Sequence, residues 1–108
     1  LLLLGIGPDG HTASLFPDQP ALSERKRLVV GVEQAGLEPF VPRVTLTLTA
    51  LASAKHVVIL VSGASKADAV ERAFGPEAKP DPHVPSSLLA GLASEITVLL
   101  DAPAAAKL

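Results

Sequence analysis

The sequence predicts an α/β domain organised around a mostly parallel sheet with flanking helices. Three observations carry that expectation. Continuously apolar runs stand at residues 1–4, 57–61 and 96–100, as expected of strands covered on both faces in a parallel sheet. Segments with helical patterning and clear stop residues lie between them, giving the alternation that builds such sheets. The chain has 108 residues, enough for one core and not for two, so residues 1–108 are read as a single domain.

Each element has its own justification. The first run ends at Gly5 and Gly7, too soon for a helix, and "GIGPDG" is a turn at the carboxyl end of that strand. Glycine supplies unusual backbone angles there and Pro8 stiffens the entry. "HTASLF" is expected to form one or two helical turns before Pro17. "LVVGV" at 28–32 is a strand, followed by a loop over 33–42. In "RVTLTL", Val44, Leu46 and Leu48 alternate with Thr45 and Thr47, which predicts a half-buried strand with the apolar residues inward. "TALASAK" suits a short helix, and residues 57–61 form the central strand. Ser65 and Asp68 resemble a capping box opening a helix that runs to Phe74, with Val70, Ala73 and Phe74 as its apolar stripe. Gly75 and Pro76 stop it. Four prolines make 75–85 a surface loop, residues 96–100 are the last strand, and "APAAAKL" is a terminal turn or tail.

Composition excludes several classes of function. The net charge is −2, and nine Lys and Arg are spread along the chain with no basic stripe for nucleic acid. No apolar run approaches the ~20 residues that cross a bilayer. Cysteine is absent, which rules out disulfides and thiolate metal sites and fits a reducing compartment such as the cytoplasm. The chain opens at Leu1 inside a strand, so it is expected to be part of a larger domain.

The opening loop admits two readings. Gly5, Gly7 and Gly10 match the G-x-G-x-x-G spacing of a dinucleotide turn, and Glu33 stands near the position of the ribose-binding acid. Against this, Asp9 would face a pyrophosphate with the wrong charge, and Pro8 removes a donor. In the second reading the loop presents His11, which exchanges protons near neutral pH, with Asp9 placed to orient the imidazole. Thr12 and Ser14 are candidates to bond a hydroxyl-rich ligand. The residues alone leave open whether His11 acts chemically or merely caps the turn. Lys66 in the first turn of a helix opposes the macrodipole unless an anion shares the site, and a solvated lysine is the alternative. His56 reads as structural or exposed, His83 as solvated, and Phe16 as core.

"GIGPDGHTASLFPDQPAL" resembles the signature segment of the 6-phosphogluconolactonase family, and the resemblance continues through "RVTLTLTAL", "VVILVSGASKADAV" and "VLLDAPAAAKL". In the related glucosamine-6-phosphate deaminases the residues after Gly-His differ, so "HTASLFP" favours the lactonase branch. The resemblance implies a Rossmann-like fold of the sugar-phosphate isomerase and deaminase type, of which this chain is the carboxyl-terminal portion. It implies hydrolysis of 6-phospho-D-glucono-1,5-lactone to 6-phospho-D-gluconate in the pentose phosphate pathway, without metal or other cofactor. His11 matches the family's general base, supported by Asp9. Substrate contacts are expected from Gly10, Thr12, Arg43 and Lys66, the arginine matching one that faces substrate in the family. Two rival readings are amino-sugar phosphate deamination and a non-catalytic sugar-phosphate sensor. The chain departs from the family at Glu38, where a lysine is expected, and at Thr49, where a proline is usual. A Gly- and Ser-rich phosphate turn belonging to the amino-terminal half of the family fold is also expected to lie outside it.

Overall fold

The computed structural model describes residues 1–92 and 95–108. Three parallel strands form its sheet: β1 (Leu2–Leu4), β4 (Val57–Val61) and β5 (Ile96–Leu100), in the order β1-β4-β5. The expected central strand is therefore central. Its register pairs Leu2 with Val57 on one side, and Val57 with Ile96 on the other.

Val57, Ile59 and Val61 point into the main core, where they meet Leu15, Leu22, Leu51, Val70 and Leu89. Each such fully buried side chain contributes roughly 1.5–3 kcal/mol relative to exposure. The helix α1 (Leu48–Ala52) adds Leu48 and Leu51 to the core from the β1–β4 connection. The helix α2 (Ala67–Phe74) adds Ala69 and Val70 from the β4–β5 crossover.

Coverage of the sheet departs from expectation. Leu3, Leu60 and Leu99 share the other face and are 63%, 51% and 50% exposed. The helices and the opening loop all pack on one side, so only the alternate residues of these apolar runs are covered.

The strands β2 (Val29–Val32) and β3 (Arg43–Leu46) stand apart as an antiparallel ribbon, pairing Val29 with Leu46 and Val32 with Arg43. The alternation over 43–48 was expected to bury the apolar residues; within β3 the reverse holds, and only Leu48, already in α1, is buried. Val44 is 74% exposed, while Thr45 and Thr47 are buried. Hydrogen bonding decides the face. The Thr45 hydroxyl accepts from the Ser14 N–H at 3.0 Å and donates to the Leu46 carbonyl at 2.9 Å. The Thr47 hydroxyl donates to the Arg27 carbonyl at 2.7 Å and caps α1 by accepting from the Ala50 N–H. Turning these threonines outward would leave those backbone groups without partners.

Two local expectations also change. "HTASLF" forms no helix; Leu15 N–H bonds to the Thr12 carbonyl in a tight turn, with Ala13 at φ 51°. The capping box before α2 does not form either. A 3-10 turn over Ala64–Lys66 leads in from Gly63 (φ 97°), Lys66 occupies the N-cap position, and the Asp68 carboxylate pairs with Lys107 instead. Asp101 fastens this entrance by accepting from Gly63 N–H and Ala104 N–H. Among the described residues no helix is long and apolar enough to cross a membrane.

Candidate active site

The loop following β1 is held from three directions. Within it, Gly7 N–H donates to the His11 carbonyl and Gly10 N–H to the Gly7 carbonyl, each at 2.9 Å. Beneath it, the buried Thr12 hydroxyl donates to the Gly5 carbonyl at 2.9 Å. From the proline-rich side, Ser86 N–H donates to the Gly10 carbonyl, and Val84 packs against the Gly10 Cα. Gly10 has φ 89°, a region open to glycine and costly for other residues. No helix follows the glycines, so the structural context of a dinucleotide turn is missing.

What this loop displays is an imidazole. Asp9 Oδ1 lies 2.6 Å from His11 Nδ1 and also accepts from the His11 N–H at 3.1 Å. One carboxylate thus fixes both the ring and its backbone. A proton on Nδ1 is held by Asp9, which leaves the lone pair on Nε2, with no protein partner among the described residues. The ring lies over Gly7, where any Cβ would overlap Cε1 and Nδ1. On another side the buried Phe16 ring lies 4.6 Å away, centroid to centroid, tilted by 41°. Both His11 and Asp9 retain 22% side-chain exposure, enough to meet a ligand.

A cavity of about 450 Å³ opens beside this pair, lined by Leu4, Gly5, Gly7, Pro8, His11 and Lys66 among others. Lys66 reaches across from the start of α2 and donates from Nζ to the Ile6 carbonyl. An ammonium anchored in this way keeps two further N–H groups for a ligand. A larger open groove of about 860 Å³ lies between the end of α2 and the proline-rich loop, lined by charges of both signs. It lacks the histidine–carboxylate pair, and the chemistry points to the smaller cavity.

The structure thus brings together Asp9, His11 and Lys66. Thr12 and Gly10 lie under the cavity rather than on its wall, since their polar groups are used to hold the loop. Arg43 does not line the cavity either. Its guanidinium approaches the Pro39 carbonyl at 3.4 Å, and its buried Nε has no partner among the described residues. Arg43 shares the inward face of β3 with Thr45, which holds Ser14 of the opening segment. Ser14 uses its N–H for that bond. His56 is structural, bonded to Thr97 Oγ1 at 2.9 Å. His83 is exposed yet paired, with Nδ1 2.7 Å from Asp18. The sequence assigns Gly7 to the strand end, the turn and the three-glycine spacing but not to the floor under the imidazole, and the signal for that was the absence of a side chain where a ring must sit.

Comparisons with known proteins agree on one relationship. Residues 1–98 match the family described as glucosamine-6-phosphate isomerases/6-phosphogluconolactonase. A 6-phosphogluconolactonase from Mycobacterium tuberculosis is 47% identical over 107 residues, covering 98% of this chain and 41% of that protein. Among solved structures, a 6-phosphogluconolactonase from Trypanosoma brucei superposes with a TM-score of 0.83 at 35% identity, covering 98% of this chain and 41% of that one. A monomeric glucosamine-6-phosphate deaminase superposes at 0.81 with 28% identity, over 98% of this chain and 46% of its own. The chain spans about two fifths of the length of the curated relatives it matches.

Proposed function

From the premise that this chain belongs to the glucosamine-6-phosphate isomerase/6-phosphogluconolactonase family, we propose that it carries the proton-transfer site of a 6-phosphogluconolactonase. The observation that supports this most is the Asp9–His11 pair, 2.6 Å apart at the rim of a cavity shared with Lys66. The substrate is a phosphorylated sugar lactone. His11 Nε2 accepts a proton as a water oxygen bonds to the lactone carbonyl carbon. Asp9 steadies the imidazolium that forms. The tetrahedral intermediate then collapses, the bond from that carbon to the ring oxygen breaks, and the ring oxygen takes the proton back from Nε2. The net change is addition of one water, giving the open-chain acid.

In this reading Lys66 attracts the phosphate, and Arg43, which does not line the cavity, adds positive charge only at longer range. Gly10 and Thr12 serve the substrate indirectly, by shaping the loop. Glu38 is exposed and does not line the cavity, so a carboxylate there acts on a phosphate only at long range.

The deaminase likeness favours a second reading, since an imidazole–carboxylate pair also suits proton transfer on an amino sugar phosphate. One assay separates them. In the intact protein carrying these residues, lactone turnover is measured against spontaneous hydrolysis, and ammonia release from glucosamine 6-phosphate is measured in parallel. Lactone turnover that falls ~10²–10⁴-fold in His11→Ala, with circular dichroism unchanged, is the expected result. Near-normal turnover in that variant overturns the role of His11, and ammonia release without lactone turnover selects the second reading.

A further inference from the structure

Phe16 lies outside the proton-transfer chemistry, yet three observations tie it to His11. Its ring is 2% exposed and sits 4.6 Å from the imidazole, tilted by 41°. It belongs to a small second core with Val32 and Ala35, separate from the main one. Gly36 presses on it so closely that a Cβ there would stand 2.8 Å from Phe16 Cβ and 3.0 Å from Cγ. The segment that carries Gly36 is itself fastened, by Ala35 N–H to the Val41 carbonyl at 3.1 Å and by the Gln19 side chain to the Gln34 carbonyl at 3.0 Å.

The imidazole is therefore bounded by three groups: the bare Cα of Gly7, the Asp9 carboxylate at Nδ1, and the Phe16 ring. The carboxylate bond alone leaves the ring free to swing about the Nδ1–Oδ1 direction. Contact with a ring that cannot retreat restricts that swing, and with it the direction of the Nε2 lone pair. Aromatic pairs in such tilted arrangements also attract one another.

We propose that Phe16 is a positioning residue for His11, held in place by Gly36 and the second core, and that it aims Nε2 at the reacting water. This inference rests on the reading of His11 as the general base. It assigns the loop over 33–42 a part in catalysis although that loop contributes no side chain to the cavity lining.

The test uses the intact protein with five variants, His11→Ala among them, and two readouts. Phe16→Leu removes the aromatic ring and keeps an apolar side chain; Gly36→Ala displaces the ring without altering it; Phe16→Tyr restores a ring. Val70→Ala cuts into the main core, of which Phe16 is not a part, and serves as the structural control. The expected result is a kcat lowered about tenfold or more in Phe16→Leu and Gly36→Ala with KM for the lactone unchanged, as for a misaimed catalytic group. Phe16→Tyr keeps kcat, and Val70→Ala leaves it unaltered. The His11 ring-proton NMR signals should shift in Phe16→Leu as the ring current of Phe16 is lost. If Phe16→Leu does not fold, Gly36→Ala is read by the same criteria. Unchanged kcat in a folded Phe16→Leu, or an equal loss in Val70→Ala, overturns the proposal. Turnover that survives His11→Ala removes the general-base reading and this role with it, whereas turnover lost in His11→Ala but kept in Phe16→Leu refutes this role alone.

Discussion

Replacing Gly7 by alanine tests the core of the site with a single methyl group. Gly7 does not adopt a positive φ, so alanine meets no backbone penalty there. All of the effect must come from the space above its Cα. An added Cβ would overlap the imidazole at Cε1 and Nδ1 and stand 2.8 Å from Asp9 Oδ1, where ordinary contact begins at 3.4 Å. The ring must retreat by about 1 Å or more, and a misplacement of ~1 Å in a reacting group costs about 10²-fold. The 2.6 Å bond to Asp9 cannot survive such a shift unless the carboxylate moves with the ring. On the function proposed above, we expect Gly7→Ala in the intact protein to lower kcat for lactone hydrolysis about 10²-fold, with a smaller change in KM. The assay is lactone consumption corrected for spontaneous opening, with the melting temperature recorded alongside. Gly31→Ala is the control, because a Cβ at Gly31 meets nothing within 4 Å. Near-normal kcat in a folded Gly7→Ala protein would refute the stacking of His11 on this glycine.

Three further outcomes follow from the same geometry. Gly10→Ala should lower stability by roughly 1–2 kcal/mol, since φ 89° strains any L side chain and the new Cβ would lie 2.8 Å from Val84 Cγ1; an unaltered melting temperature would contradict it. The hydrogen bond to Asp18, with the charges of Asp18 and Asp81, raises the His83 pKa above its ordinary value. A raised folded pKa adds stability at low pH that is lost as pH rises through it, so the melting-temperature gap between wild type and His83→Gln should be widest below about pH 6.5 and close as His83 deprotonates. A gap that is constant with pH would sink this. Finally, the 108-residue chain expressed alone should self-associate through the open face of Leu3, Leu60 and Leu99. Light scattering should show lower association in Leu60→Lys, and a monomeric parent chain would disprove the idea.

Much of the fold was legible in the order of residues because it depends on local pattern. Three apolar runs became the three parallel strands, and the stop at Gly75 closed α2 where expected. The pairing of Asp9 with His11 was also within reach, since two residues of separation in a tight turn bring the side chains together. Where reading failed, a long-range hydrogen bond had outweighed a local preference. Alternation in β3 gave two possible faces, and hydrogen bonds accepted from Ser14 and Ala50 and donated to the Arg27 carbonyl selected the threonine face. The capping box gave way because Asp101 grips Gly63 and Lys107 takes Asp68. Thr12, read as a ligand contact, is instead buried under the loop it fastens.

The sequence by itself determined which residues can exchange protons and which segments form strands, since side-chain chemistry and residue periodicity are properties of the chain alone. Only the tertiary structure decided which groups share the cavity. Lys66 lines the same cavity as His11, 55 positions away, because the parallel pairing of β1 with β4 sets their following loops side by side. Gly7 and Phe16 acquire their roles at the same level. Their importance lies in what stands against them, and neighbours brought together by folding leave no trace in either residue's own type.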